Sequence, residues 1–239
     1  MLKRLSLNTN YVTVGISQPF DCNYISGQKE QLLVIKEAQL DANLFEQLLG
    51  MGFRRNGDSI YKPRCPNCQS CQSIRVPVAK FTLSKRQKRT LKANQDLHWV
   101  MSAQAHPQQY ALYEKYIAER HSDGPMFPPS QQQFDDFLNC SWLAPHYIQV
   151  FDGDTLVAVA VTDVMPHSLS AIYSYFHPDY EKRSLGAFLI LLQCQQAKIW
   201  QKDFLYLGYQ IDENTKMKYK RLYRPYQILT AVGWEENIE

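Results

Sequence analysis

Ser170-Ala-Ile-Tyr-Ser-Tyr-Phe-His177, Leu185-Gly-Ala-Phe-Leu-Ile-Leu-Leu-Gln-Cys-Gln-Gln-Ala-Lys-Ile-Trp200 and Phe204-Leu-Tyr-Leu-Gly-Tyr209 follow one another across short polar spacers. In the first, Tyr173, Tyr175 and His177 fall on one side of an extended chain, because successive side chains alternate. The second is apolar over most of its length, as a largely buried helix would be. The third is an aromatic and aliphatic run long enough for a strand and too short for a helix. Tyr147–Phe151 and Leu156–Asp163 precede them as two more strands, joined at the hairpin turn Asp152-Gly153-Asp154. Three meandering strands, a crossover helix and a returning strand predict a mixed sheet, and hence an α/β (α+β) fold.

Upstream, Gln31–Lys36 predicts a strand, and Ala42–Met51 a helix whose apolar face ends at Gly52. Phe53–Tyr61, turning at Asn56-Gly57, predicts a hairpin. Ser73–Ala79 predicts a strand, with Pro77 suggesting a sheet edge. Ser84 caps a predicted basic helix running to Ala93, and Leu97–Ala103 predicts another strand. Pro107 opens a helix with Tyr110, Tyr113, Tyr116 and Ile117 on one face, broken at Asp123-Gly124-Pro125. Ser130–Asn139 predicts one more helix. The expected division is a smaller cysteine-containing α+β unit over 1–103 and the mixed-sheet unit over 104–239.

A chain of 239 residues buries roughly 70–75% of its unfolded surface and needs no metal or disulfide merely to fold. No run approaches the ~20 apolar residues of a membrane span. The basic pair Lys3-Arg4 has no apolar segment behind it, so a signal peptide is not expected and the cytoplasm is. Net charge is only +3, so contact with nucleic acid must come from local patches.

Four groups of residues suggest chemistry. Lys216, Lys218 and Lys220 would form a one-sided basic comb if extended; such an edge suits a polyanion, or serves only to block aggregation. Lys80, Lys85, Arg86, Lys88, Arg89 and Lys92 form a second basic run that could lie along a phosphate backbone, or be a solvated helix face. The loop Glu181-Lys182-Arg183-Ser184-Leu185-Gly186 opens a helix, where free N–H groups and Arg183 favour phosphate; Ser184 could equally be a plain cap. Cys65, Cys68 and Cys71 have ligand spacing. With Cys22 they would complete a four-thiolate zinc site or an iron–sulfur cluster, or remain buried thiols. His121, beside Arg120, could move a proton or simply close a helix.

The motifs also appear in a specific order. Gly52-Phe53-Arg54-Arg55, Tyr61-Lys62-Pro63-Arg64-Cys65, Ile74-Arg75-Val76-Pro77-Val78, Arg120-His121-Ser122-Asp123-Gly124, Ser174-Tyr175-Phe176-His177-Pro178, Ser184-Leu185-Gly186 and Tyr206-Leu-Gly-Tyr209 with Lys216-Met217 resemble the aminoacyl-tRNA–protein transferases. The resemblance runs from about Cys22 to Trp234 and is nearest the short bacterial branch, relatives of the eukaryotic arginyltransferases. It implies an N-acetyltransferase-like (GNAT-like) core and transfer of leucine from Leu-tRNA to proteins with an N-terminal Asp or Glu, marking them for N-degron proteolysis. Arginyl transfer, a coenzyme A-dependent acetyltransferase and a non-catalytic RNA-binding module are the alternatives. The partners implied are aminoacyl-tRNA and acceptor proteins, with no membrane and no DNA, and no cofactor is required. Under this reading Tyr206, Tyr209, Tyr219 and His121 are the catalytic candidates. Arg75, Lys216, Lys218 and Arg120 would hold substrate. Arg86, Arg89, Lys85, Lys88, Arg183, Ser184 and Gly186 would hold tRNA.

Overall fold

The computed structural model describes residues 3–6, 11–36 and 39–237. The first half holds β1 (Lys3–Ser6), β2 (Tyr11–Ile16), β3 (Phe20–Asp21), β4 (Lys29–Glu30), β5 (Leu32–Ile35), α1 (Ala42–Gly50), β6 (Arg54–Asn56), β7 (Ser59–Pro63), β8 (Gln72–Pro77), α2 (Lys85–Ala93) and β9 (His98–Ser102). The second holds α3 (Gln109–Arg120), α4 (Gln131–Leu138), β10 (His146–Asp152), β11 (Thr155–Val164), β12 (Ser168–Phe176), α5 (Leu185–Ile199), β13 (Phe204–Gln210), β14 (Tyr226–Thr230) and β15 (Gly233–Asn237). An eight-stranded sheet runs β15-β14-β8-β13-β12-β11-β10-β9, and a five-stranded sheet runs β1-β2-β5-β7-β6.

The core follows the hydrophobic pattern. Leu156 to Asp163 on β11 are all buried, because α5 and α3 both pack against that strand. α5 buries Phe188, Leu189, Leu192 and Cys194 between the sheet and α2. This is the mixed α/β architecture with an N-acetyltransferase-like core that the strand and helix order predicts. Among the described residues no helix is long and apolar enough to cross a membrane.

Two local expectations change. β8 is not an edge: it lies between β14 and β13. Pro77 ends the strand, beyond the Ile74 and Arg75 positions that pair with β14, so its missing N–H interrupts no ladder there. Nor is Lys216–Lys220 extended. The Asn214 side chain accepts a 2.9 Å bond from the Lys216 N–H, its carbonyl accepts from Met217 and Lys218, and Lys218–Leu222 forms a 3-10 turn. The local turn chemistry of Asp212-Glu213-Asn214 prevails over alternation. The three lysines therefore do not share one face.

Candidate active site

β12 and β13 run parallel and pair only through Ser168/Phe204, Leu169/Leu205 and Ser170/Tyr206. Beyond that point they part. On its other edge β13 pairs with β8, with a bulge between Tyr206 and Gly208. Gly208 has φ +85°, a left-handed conformation that costs glycine little. A cavity of about 780 Å³ opens at the split. Its walls come from both halves of the chain: Arg54 and Tyr61, then Tyr116 and His121, then Ala171–Ser174, Leu207–Tyr209, and Lys216, Met217, Tyr219 and Lys220.

His121 closes α3, and its Nε2 lies 3.1 Å from the Tyr116 hydroxyl. Burial, with Lys216 and Arg120 nearby, holds its pKa below the ordinary imidazole value. Lys216 stands at the mouth, 3.8 Å from Asp123. Tyr219 lines the cavity and is 41% exposed, with burial of its hydroxyl raising its pKa to about 12. The Tyr209 hydroxyl donates to the Gly52 carbonyl at 2.8 Å, so it braces β13 against the turn after α1. Lys220 donates to the Tyr209 carbonyl, and its desolvated amine is lowered to about 7.

Other predicted residues lie elsewhere. Arg75 is not among the cavity's lining residues. Its guanidinium stacks over Phe204 at 3.6 Å and Trp234 at 4.1 Å, with Nε donating to Gln227 and Nη1 to the Tyr206 hydroxyl. Tyr206 thus belongs to that aromatic stack. Arg120 pairs with Glu181 at 3.0 Å and covers Phe176. Lys218 is exposed on the turn. Arg183 is held by both oxygens of Asp96 at 2.8 and 2.9 Å, which occupies the fork expected to meet phosphate. Ser184 adopts φ 55° and makes no side-chain cap. Gly186 abuts Phe176, at 3.4 Å from a built Cβ.

The basic helix matches its expectation closely. Ser84 and Gln87 form a reciprocal capping box; Gln87 and Asn94 face inward, while Lys85, Arg86, Lys88 and Arg89 are exposed. The cysteine expectation does not hold. Among the described residues no group of three or more His, Cys, Asp or Glu side chains is placed to hold a metal ion. Cys22, Cys65, Cys68 and Cys71 are free thiols in one neighbourhood. The two-residue spacings bring them close without converging them on a point, so the group does not fit a zinc ion or a cluster. Burial, with the other thiols and Glu30 nearby, pushes Cys71 up to about 12.

Sequence reasoning gave no role to Arg54, and read Lys220 only as one tooth of the basic comb. The available signal was the adjacent arginine pair in a short strand beside Phe53, since two cations at successive strand positions cannot both face solvent.

The profile described as arginine-tRNA-protein transferase, N terminus, matches residues 20–89, and its C-terminus counterpart matches residues 108–230. The chain belongs to this transferase family. An aspartate/glutamate leucyltransferase of Shewanella sp. (strain ANA-3) is 65% identical over 224 residues, 94% of this chain and 94% of that protein. One from Shewanella oneidensis is 64% identical over 228 residues, 95% of this chain and 96% of that one. A third, from Aeromonas hydrophila subsp. hydrophila, is 45% identical over 223 residues, 93% of this chain and 94% of that one. The crystal structure of FemX matches 100% of this family member and 88% of its own chain, with a TM-score of 0.54 and 7% sequence identity. That likeness is one of fold, and it agrees with the N-acetyltransferase-like core.

Proposed function

We propose that this transferase moves leucine from Leu-tRNA to the N-terminal Asp or Glu of acceptor proteins, marking them for N-degron proteolysis in the cytoplasm. The observation that carries this reading is the 65% identity, across 94% of both chains, to an aspartate/glutamate leucyltransferase. Arginyl transfer is the second reading, favoured by the description of the two family profiles. Relatives at 45% and 65% identity weigh for leucine.

The chemistry asks little of a general base. An α-amino group has a pKa near about 8, so a useful fraction is neutral at physiological pH. The lone pair of that amine attacks the leucyl ester carbon, the ester C–O bond breaks, and the proton lost by nitrogen goes to the departing ribose oxygen. In our reading the strand split contributes mainly by holding amine and ester in contact. Met126, Ile172, Ile190 and Leu207 give the cavity an apolar wall for a leucine side chain. The β13 backbone beyond Tyr206, no longer paired with β12, offers N–H groups to the oxyanion, with the Tyr219 hydroxyl at the rim. Neutral His121 is the group we assign to proton movement. The exposed face of α2 would track the tRNA backbone, and the start of α5, with Ser184 and Gly186, would lie beside it. We also read residues 1–103 and 104–239 as two units whose strands share the large sheet.

The test offers labelled Leu-tRNA and Arg-tRNA with peptides beginning Asp, Glu, Lys or Ala. Label should pass only from Leu-tRNA and only to Asp and Glu. Label from Arg-tRNA would install the second reading, and no label from either would leave an RNA-binding module.

A further inference from the structure

Arg54 and Arg55 are neighbours with opposite fates. Arg55 reaches Asp163 through Nε at 2.7 Å and Nη2 at 2.6 Å, and both side chains are fully buried. That pair is closed. Arg54, on the other face of the same short strand, ends at the split. Its Nη1 donates to Ser170 Oγ at 2.9 Å and its Nη2 to the Ala171 carbonyl at 2.5 Å. Both acceptors are neutral, and Arg54 is only 7% exposed. A guanidinium has five N–H donors in a fixed fork. Two neutral acceptors leave three of those donors without a partner, and no carboxylate is hydrogen-bonded to the guanidinium; Asp163, taken up by Arg55, acts on Arg54 only through space.

Burying a cation this way is costly unless a counter-charge arrives. A second cation sharpens the case. Lys220 lines the same cavity, beside Gly208, which the Arg54 guanidinium covers at 3.5 Å from a built Cβ. The two like charges repel each other. Asp136 is the one carboxylate among the described lining residues; it is exposed at the mouth and bound by Gln132 at 2.8 Å. The interior of the cavity therefore holds the Arg54 cation and an amine that becomes a second cation when it is protonated, and among the described lining residues no carboxylate beyond Asp136 at the mouth.

The depth of the fork selects the kind of anion. A phosphodiester is flanked by sugar on both sides and would have to thread the cavity. The aminoacyl end of a tRNA carries an ester on ribose, with its nearest phosphate further back. An Asp or Glu side chain ends in a carboxylate, whose two oxygens match a guanidinium edge. We propose that Arg54, with Lys220 beside it, receives the side-chain carboxylate of the acceptor's first residue and so sets acceptor specificity. This rests on the transferase reading above, and it moves that role away from Arg75, Lys216 and Lys218.

The test compares kcat/KM for leucine transfer to peptides beginning Asp, Glu, Asn or Gln, using wild type, Arg54→Gln, Arg54→Lys and Arg75→Ala, with tRNA binding measured separately. In Arg54→Gln the preference for Asp over Asn should fall by roughly 30- to 5,000-fold, the range for losing one partner of a buried charge pair. Arg54→Lys should recover part of it, Arg75→Ala should retain it, and tRNA affinity should stay unchanged in all three. If wild type fails to label Asp peptide, the transferase reading fails. If wild type labels it and Arg54→Gln keeps the Asp preference, this proposal is overturned. Lost tRNA affinity with retained preference would assign Arg54 to the nucleic acid, against the proposal. Should the variants not fold, arginine side-chain 15N NMR of wild type decides. A buried arginine signal should shift with Asp-initiated peptide and not with its Asn counterpart, and equal shifts would refute the idea.

Discussion

Replacing Arg86 and Arg89 by Ala isolates the basic helix from the rest of the molecule. Both side chains are exposed on α2, while Gln87 and Asn94 pack inward and the Ser84–Gln87 capping box holds the first turn. Alanine favours the helix at both positions, so the variant keeps its fold. If each arginine neutralises one phosphate, each contributes about 0.9 to the slope of log K against log salt. Losing both makes the slope shallower by about 1.8. The affinity loss then grows as salt falls, to roughly 30-fold at 0.15 M and roughly 200-fold at 0.05 M. Fluorescence anisotropy of labelled tRNA, titrated at several salt concentrations, reads both quantities. Lys115→Ala removes a cation from α3, where it sits 3.7 Å from Glu119, and set against each single arginine variant it controls for the loss of one positive charge. An unchanged slope in the double variant, or an equal change in the control, would refute a tRNA path along α2.

Asp163→Asn leaves Arg55 buried without its charge partner and should cost about 3–5 kcal/mol of stability, read by urea denaturation. Lys220 is protonated in the unfolded chain up to its ordinary value and neutral in the folded one above about 7. The unfolded state therefore binds more protons in that interval, and stability should rise with pH by up to about 1.4 kcal/mol per unit. Denaturation of wild type and Lys220→Met from pH 7 to 9.5 checks this, the variant lacking that rise. Anaerobically purified protein should carry no stoichiometric zinc or iron and keep its melting temperature in chelator, since the four cysteines do not converge. Cys71, pushed up to about 12, should alkylate last of the four at pH 8, as peptide mapping would show.

Much of this was legible in one dimension because it depends on local order. Alternation and apolar runs placed β10 to β13 and α5, and Ser84 with Gln87 capped a helix whose charges have nowhere to go but outward. The ordered motifs identified the family for the same reason, since they are strings. β14 and β15 were missed: they form a tight hairpin closing at Thr230 and Gly233, but the hairpin is seated by pairing with the distant β8, which no window of sequence contains. The lysine comb failed because a single Asn214 side chain turned the chain. The cysteine spacing failed because a ligand set is a point in space, whereas spacing fixes only distance along the chain. The site itself was decided by tertiary structure. Arg54 and Arg55 are indistinguishable as letters, and Asp163 lies 108 residues further on. Only the fold shows that one arginine meets that carboxylate while its neighbour reaches the β12–β13 split with neutral partners alone. Charge compensation is a property of what lies across a gap, so it becomes readable once the chain has closed.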